Sequence, residues 1–298
     1  MLKEKPVKEN ERVCALVVTY NRIETLRECL RRLQLQSRPI DEIIVIDNAS
    51  TDGTRAMLAR EYPDVTVLPL PTNVGGAGGF YEGMKFAMDR GHDWLWLMDD
   101  DCYVERDTLR QMLEQLGENE VGVPLKRSVT TRQPARTTSD IAASSLKHHH
   151  TGRGIPFNGF LVHRKVVKAV GLPIKEFFID RDDTEYGMRL VRLGYPTFII
   201  PHAKLFHPDD NEIELSIGPF RRVYHNKSPK PERLRMRMRN IVWAAKLNWT
   251  PRQLRWILKE VAVELMLSLY LRDRAKTRAV LSGAFEGVRK AAPPIVYP

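Results

Sequence analysis

The sequence is poor in cysteine and has no long uncharged apolar run, and both absences restrict the classes of protein it can belong to. Three cysteines in 298 residues do not make a disulfide framework. No stretch of about 18 uncharged apolar residues exists, so we expect no transmembrane helix. Residues 1–12 are charged and lack an apolar core, which predicts no secretory signal and a cytoplasmic protein.

Acidic residues are scarce in the C-terminal quarter of the chain. The net charge is +10, but residues 221–298 alone hold 18 Lys and Arg against 5 Asp and Glu. A membrane surface, nucleic acid or an acidic substrate would each explain this basic segment. It contains no nucleic-acid recognition motif and no aromatic residues interleaved as in a stacking platform, so nucleic acid is not an expected partner.

Short apolar runs alternate with helical spacing through the first half of the chain, which predicts an α/β fold with a parallel, doubly wound sheet. The predicted strands cover residues 13–18, 42–46, 65–69, 94–98, 157–162, 198–200 and 204–207. The predicted helices cover residues 24–35, 80–89, 164–170 and 182–193. Residues 125–156 and 208–231 are predicted to be irregular, and the chain from about residue 232 is predicted to be helical.

Three adjacent carboxylates, Asp99 to Asp101, directly follow the apolar run at 94–98. In open α/β sheets, ligands bind beyond the carboxyl ends of the strands. Adjacent carboxylates repel one another unless a cation or protons compensate them, and Mg²⁺ or Mn²⁺ is a cation that oxygen ligands suit. A solvated acidic turn is the alternative, but the position at a strand end favours a metal site.

Two further segments lie beyond predicted strands. Asp47 and Asn48 would either bind a ligand or form an Asx turn that caps the next helix. Four glycines between Asn73 and Phe80 would permit close backbone approach to a phosphate or sugar. This stretch is neither a dinucleotide fingerprint nor a P-loop, because it lacks the third glycine of the former and the Gly-Lys-Ser/Thr ending of the latter.

Carboxylates also cluster at the start of a predicted helix, in the segment 178–187. They would either satisfy the helix dipole or supply a general base beside a metal site. His207 follows an apolar pair, and a lone histidine in such a place is more often structural than a ligand. The run from His148 to His150 lies in a polar loop, where we expect it to be solvated or to face an acceptor rather than to bind a metal.

Taken in order, these elements resemble the family 2 glycosyltransferases, which have the GT-A fold. The shared elements are VVTYNR, IDNASTDGT, the MDDD strand end, the acidic helix start and a later His, over about residues 12–240. Within that family, NVGGAGGF, WLMDDD, FNGFLVHR, FIDRDDTEYGMRL and the Arg-Asn of RMRN resemble the galactofuranosyltransferases of mycobacterial-type cell-wall galactan synthesis, in particular the initiating enzyme. Rhamnosyltransferases share much of this pattern.

The resemblance implies an inverting, Mn²⁺- or Mg²⁺-dependent transfer of galactofuranose from UDP-galactofuranose to a polyprenyl-diphosphate-linked rhamnosyl-N-acetylglucosamine. The alternative is a rhamnosyltransferase that uses dTDP-rhamnose. By the same resemblance, Asp183 is the catalytic base and Asp182 orients the acceptor. The implied metal ligands are Asp99, Asp101 and His207. The implied donor-binding residues are Val18, Tyr20, Asp47, Asn48, Gly76, Asp100, Asn158 and Arg239.

The expected organisation is a GT-A (Rossmann-like) domain at 1–231, with a mostly parallel sheet flanked by helices, followed by a basic helical region at 232–298. The nucleotide-binding part would cover about residues 12–124 and the acceptor part about 125–231. The pattern of residues 252–272 predicts an amphipathic helix with a broad apolar face. This helix begins the segment 252–298, for which contact with a membrane is one of two interpretations. It would either pack on the protein or lie on the cytoplasmic face of the inner membrane, as a lipid-linked acceptor requires.

Two other functions would share the metal site. A non-catalytic nucleotide-sugar binder would not need Asp183, and a nucleotide-sugar hydrolase would not need an acceptor groove. The presence of both carboxylate sites in one sequence favours the transferase.

Overall fold

The computed structural model describes residues 11–132, 147–149, 154–208, 212–217, 220–225 and 229–298. The strands are β1 Val13–Thr19, β2 Glu42–Asp47, β3 Thr66–Pro69, β4 Trp94–Asp99, β5 Tyr103–Val104, β6 Val121–Ser128, β7 His148–His149, β8 Phe160–His163, β9 Thr197–His207, β10 Glu212–Ile217 and β11 Phe220–His225. The helices are α1 Ile23–Gln34, α2 Thr54–Glu61, α3 Gly75–Asp89, α4 Thr108–Gln115, α5 Arg164–Val170, α6 Asp182–Arg192, α7 Pro231–Leu247, α8 Pro251–Tyr270 and α9 Arg274–Arg289, with a 3-10 helix at Lys175–Phe177.

One large sheet organises the molecule, in the order β3-β2-β1-β4-β8-β6-β9-β5, with β7 paired to β9. The four strands from β3 to β4 are all parallel. Beyond β4 the sheet is mixed, because β8 runs antiparallel to both β4 and β6 while β6 and β9 are parallel. The predicted α/β class is confirmed, and the parallel half brings the carboxyl ends of β1, β2 and β4 to one edge.

Apolar side chains fill both faces of this sheet. Every residue of β1 is buried, as its continuous apolar run predicts. Helix α1 covers one face with residues at helical spacing, among them Leu26, Leu30 and Leu33. The three cysteines are buried thiols, so no disulfide joins them. Apolar packing and the hydrogen bonds between strands therefore hold the sheet together without a disulfide.

Helix α3 begins at Gly75, five residues earlier than the sequence indicates, and contains the glycine-rich stretch. The glycines let the helix lie close to the sheet. A Cβ on Gly79 would come within 2.6 Å of Val18 Cγ1, and one on Gly83 within 2.7 Å of Ile46 Cδ1. Gly79 and Gly83 thus serve the packing of α3 on the sheet.

Three further segments differ from expectation. Residues predicted as two short strands form the continuous β9, and the irregular segment 208–231 contains the antiparallel pair β10 and β11. Within the predicted loop 125–156, β6 extends to Ser128 and β7 pairs with β9. His149 packs on Phe198, with ring centroids 4.5 Å apart, whereas His150 lies outside the described residues.

The C-terminal helices pack on the rest of the protein. Leu234, Met238 and Ile241 of α7 form an apolar cluster with Trp256 of α8 and Val280 of α9. A Cβ on Gly283 of α9 would lie 2.2 Å from a backbone oxygen of α7, so these two helices are in close contact. Among the helices that the structure describes, none is long and apolar enough to cross a membrane.

Candidate active site

A cavity of about 720 Å³ opens at the carboxyl edge of the parallel strands. Its walls come from the ends of β1 and β4, the start of α3, the segment before α6 and the end of β9. All but two of the site residues predicted from the sequence line this cavity. These are Val18, Tyr20, Asn48, Gly76, Asp99, Asp100, Asp101, Asn158, Asp182, Asp183 and His207.

Two of the three strand-end carboxylates have protein partners. Asp100 accepts a hydrogen bond of 2.7 Å from Thr19 Oγ1 at the end of the neighbouring strand β1. Arg22 Nη1 lies 2.6 Å from Asp101 Oδ2 and 3.4 Å from Asp100 Oδ1. The Arg22 side chain thus neutralises part of the cluster, a role that the turn sequence Tyr-Asn-Arg did not reveal.

The pKa values show how strongly these groups interact. Burial and the charges of Asp101 and Asp100 raise the pKa of Asp99 to about 7. Burial also raises the pKa of Asp100 to about 6, against the opposing effects of Thr19 and Arg22. Burial would raise the pKa of Asp101 too, but His207 and Arg22 lower it to about 2. The triplet therefore holds more negative charge than the protein side chains compensate.

His207 and Asp101 lie close enough together to be considered as ligands of a metal ion. His207 Nε2 lies 3.1 Å from Asp101 Oδ1, a buried oxygen without a well-aligned hydrogen bond. Burial would lower the pKa of His207, but the neighbouring Asp101 carboxylate raises it.

Carboxylate oxygens suit Mn²⁺ and Mg²⁺, whereas imidazole is more typical of softer transition metals. Within the described ranges, no three His, Cys, Asp or Glu side chains converge to hold a metal by themselves, so Asp99 does not complete the pair here. A cation that takes one or two protein ligands and completes its shell with phosphate oxygens and water still fits this geometry.

The start of α3 forms another wall of the cavity. Hydrogen bonds of the Asn48 side chain connect it to the end of β2. Asn48 Nδ2 donates to the carbonyl of Gly75 at 2.9 Å, while its Oδ1 accepts from the amide of Val74 at 2.9 Å. A Cβ on Gly76 would meet nothing within 4 Å, so this backbone is open towards the cavity. The first turn of α3 is therefore available to a phosphate or sugar.

The third wall carries Asp182 and Asp183 in the first turn of α6. Burial raises the pKa of Asp182, and the charges of Asp183 and Asp99 raise it further. Burial also raises the pKa of Asp183, against hydrogen bonds from Thr184. The influence of Asp99 on Asp182 places the strand-end cluster and the acidic helix start within electrostatic reach of one another.

Arginines of α7 complete this wall. Arg233 holds both carboxylate oxygens of Asp180 at 2.9 Å, and Arg237 Nε lies 3.5 Å from the same group. Arg181 turns away to Glu260 of α8, at 3.2 Å, and lies over the ring of Trp256. Arg233 and Arg237 both line the cavity, although the basic helical segment gave no local sign of it.

Two nominated residues do not line the cavity. Asp47 is fully buried, where it binds Arg55 and accepts a hydrogen bond of 2.9 Å from the amide of Ser50, three residues further along the chain. Arg239 packs over the ring of Trp243 and donates to the carbonyl of Glu176 at 2.9 Å. Both side chains support neighbouring backbone instead.

The fold is that of the GT-A glycosyltransferases. The similarity to the structure of GalNAc-T7 with UDP, GalNAc and Mn²⁺ has a TM-score of 0.63 at 13% identity, covering 90% of this chain and 54% of that one. The sequence model of glycosyl transferase family 2 matches residues 14–161.

The chain belongs to glycosyl transferase family 2. It is 33% identical over 215 residues to the galactofuranosyltransferase GlfT1 of Mycolicibacterium smegmatis, which covers 66% of this chain and 71% of the relative. It is also 24% identical over 236 residues to the dTDP-rhamnosyl transferase RfbF of Shigella flexneri, covering 72% and 77%.

The contact between α3 and the segment before α6 gives a test of the site's construction. Gly75 has φ of +75°, and a Cβ there would lie 2.0 Å from the carbonyl oxygen of Phe178. We expect Gly75→Ala to lower the free energy of unfolding by at least about 2 kcal/mol, through strain and overpacking.

Gly76→Ala is the matched control for this change. It sits one residue further into the helix, in open space, so its stability should stay within about 1 kcal/mol of wild type. Urea unfolding followed by circular dichroism measures both variants. Equal stabilities would show that the two walls do not touch as described.

Proposed function

We propose that this glycosyltransferase transfers galactofuranose from UDP-galactofuranose to a polyprenyl-diphosphate-linked rhamnosyl-N-acetylglucosamine, with inversion at the anomeric carbon. One observation carries the proposal: the Asp101–His207 pair and the Asp183 carboxylate line the same cavity, beside the open backbone of Gly76. Similarity to GlfT1 supports the choice of sugar. The reaction thus has a place for the donor diphosphate and a base for the acceptor.

The donor would lie between β1, β4 and the start of α3. Val18, Tyr20, Asn48, Asp100 and Asn158 would contact its nucleotide and sugar. Asp101 and His207, with Asp99 beside them, would hold Mn²⁺ or Mg²⁺. When bound, the cation would neutralise charge that develops on the diphosphate leaving group.

The acceptor hydroxyl would meet the carboxylates of α6. Asp183 would accept its proton as the oxygen attacks the anomeric carbon from the face opposite the diphosphate. Asp182 would orient the acceptor. A raised pKa makes Asp183 a stronger base than an exposed aspartate, provided that it is ionised when the acceptor arrives.

The second candidate is transfer of rhamnose from dTDP-rhamnose. The 24% identity to RfbF over most of both chains favours it. Both reactions would use the same metal pair and the same base, so the donor must be determined by experiment.

Product analysis decides between the two donors. Purified protein is incubated with Mn²⁺ or Mg²⁺, a synthetic lipid-linked rhamnosyl-N-acetylglucosamine, and either UDP-galactofuranose or dTDP-rhamnose. Mass spectrometry should show addition of a hexose from the first donor, and EDTA should abolish it until a divalent cation is restored. A deoxyhexose product would select the rhamnosyl alternative, and full activity in EDTA would remove the cation from the proposal.

The base is tested by Asp183→Asn. A positioned general base contributes a factor of roughly 10²–10⁴, so turnover should fall by at least about a hundredfold. Binding of UDP with Mn²⁺, measured by calorimetry, should remain because the substitution leaves the opposite wall intact. Unchanged turnover would exclude Asp183 as the base.

We further propose that α8 and α9 contact the cytoplasmic face of the inner membrane, where a lipid-linked acceptor would lie. One face of α8 packs on α7 and α9, but Leu258 of α8 and Phe285 of α9 are 60% and 65% exposed. Exposed basic residues accompany them, namely Arg255, Lys259, Arg272, Arg274 and Arg278. An apolar face bordered by positive charge suits an anionic bilayer surface.

Vesicle flotation tests this contact. The wild-type protein should float with vesicles that contain phosphatidylglycerol and less well with neutral vesicles or in high salt. The pair Leu258→Asp and Phe285→Asp should abolish flotation. Val191→Asp, at a similarly exposed apolar residue of α6, is the control that should still float. Absence of flotation by wild type would reject the contact.

A further inference from the structure

The turn that precedes α6 has an unusual backbone. Phe178, Asp180 and Arg181 have φ of 63°, 65° and 74°, although none of them is glycine. The amide of Ile179 donates to the carbonyl of Phe177 at 2.7 Å, which closes a γ-turn of the rare positive-φ kind around Phe178. A chain adopts such a conformation only where its surroundings impose it.

What this turn controls is the direction of the two carboxylates that follow it. Asp182 and Asp183 come directly after Arg181, as the first residues of α6. A change in the turn would rotate the first helical residues relative to the strand-end cluster. A displacement of about 1 Å at a catalytic group costs up to roughly a hundredfold in rate.

One side chain of α7, Asn240, holds the turn. It is fully buried, and its Nδ2 lies 2.9, 2.9 and 2.8 Å from the carbonyl oxygens of Phe177, Ile179 and Asp180. Its Oδ1 accepts from Nε and Nη2 of Arg239, at 3.0 and 2.9 Å. This fixes the orientation of the amide, because the reverse would place its oxygen against three carbonyls.

Asn240 has no comparable role within its own helix. Its donors all go to the turn, and Arg239, which fixes its acceptor, also binds the carbonyl of Glu176 just before the turn. Arg233, two helical turns earlier in α7, binds the side chain of Asp180. Helix α7 therefore binds the turn in two ways. Asn240 binds the backbone of the turn, and Arg233 binds the side chain of Asp180.

We propose that Asn240 is a positioning residue for acceptor activation. It holds the turn in its positive-φ conformation and thereby aims the carboxylates of Asp182 and Asp183 into the cavity. This inference rests on the proposed role of Asp183 as the base. Loss of the Asn240 amide should slow the chemical step and leave nucleotide binding, which uses the opposite wall, unchanged.

The main test variant is Asn240→Asp. It keeps the size of the side chain and an acceptor for Arg239, but it removes the amide donors and turns a carboxylate oxygen towards three carbonyls. We expect kcat to fall roughly 10- to 100-fold. The Kd for UDP or dTDP in Mn²⁺ should change less than about twofold. Asn240→Ala, which adds no charge, replaces it should the acidic variant fail to fold.

Asn248→Ala provides the matched control for a loss of stability alone. Asn248 is also a buried asparagine at the end of α7, but its amide bonds go to Glu185 and the carbonyl of Ala244. Its melting temperature should fall as in the Asn240 variants, whereas its kcat should stay within about threefold of wild type. A loss of kcat in Asn248→Ala equal to that in Asn240→Ala would overturn the inference.

A double variant tests whether Asn240 acts through Asp183. In the Asp183→Asn background, measured by single turnover with enzyme in excess, Asn240→Asp should add less than about a twofold further loss. A fully additive loss, weakened nucleotide binding, or wild-type kcat in a folded Asn240 variant would overturn the inference. Full turnover by Asp183→Asn alone would instead reject Asp183 as the base. That result is distinct from each of the outcomes that would overturn the role of Asn240.

Discussion

Crowding of like charges around one cavity is the constraint on which the rest of the structure depends. The end of β4 and the start of α6 bring Asp99, Asp100, Asp101, Asp182 and Asp183 to the same cavity. Their mutual repulsion and their burial raise several of their pKa values. Arg22 and His207 lie far apart in the sequence, but both contact Asp101 and compensate part of this negative charge. The charge that remains uncompensated is what a divalent cation and the proton of an acceptor hydroxyl would neutralise.

Keeping these charges apart but close requires rigid backbone on both sides of the cavity. On one side Asn48 ties the end of β2 to the first residues of α3. On the other, the turn before α6 presses its Phe178 carbonyl against Gly75 and accepts a bond from Ala77 at 3.2 Å. The start of α3 and the turn before α6 therefore touch through backbone atoms.

The parallel half of the sheet and most of the cavity could be predicted from the sequence, because both follow local rules. Continuous apolar runs mark buried strands, and polar residues directly after them lie at one edge. The contributions of Arg233, Arg237 and Asn240 could not be predicted, since they depend on contacts with a turn more than fifty residues earlier in the chain. The same limit explains why Asp47 and Arg239 were wrongly expected to line the cavity. A motif gives a residue's position in the chain but not the direction of its side chain. The glycines of α3 have two interpretations at the level of sequence. Close packing on Val18 and close approach of a ligand both favour a residue without a Cβ.

The basic residues of the C-terminal region lie in two different surroundings, which the net charge of the sequence does not distinguish. Arg233 and Arg237 face inward and neutralise Asp180 at the cavity wall, so their charge is part of the site. Arg181 shows the converse, because it leaves the acidic segment to pair with Glu260 of α8. The basic residues on the outer faces of α8 and α9 have no such acidic wall to satisfy and border exposed apolar side chains instead. Helix α7 holds the turn before α6 while α8 and α9 present exposed apolar side chains, and the three helices pack together. If the proposed membrane contact and the proposed base both hold, a lipid-linked acceptor would be bound by the same helices that support the carboxylates. Acceptor capture and acceptor activation would then be performed by one packed unit of three helices.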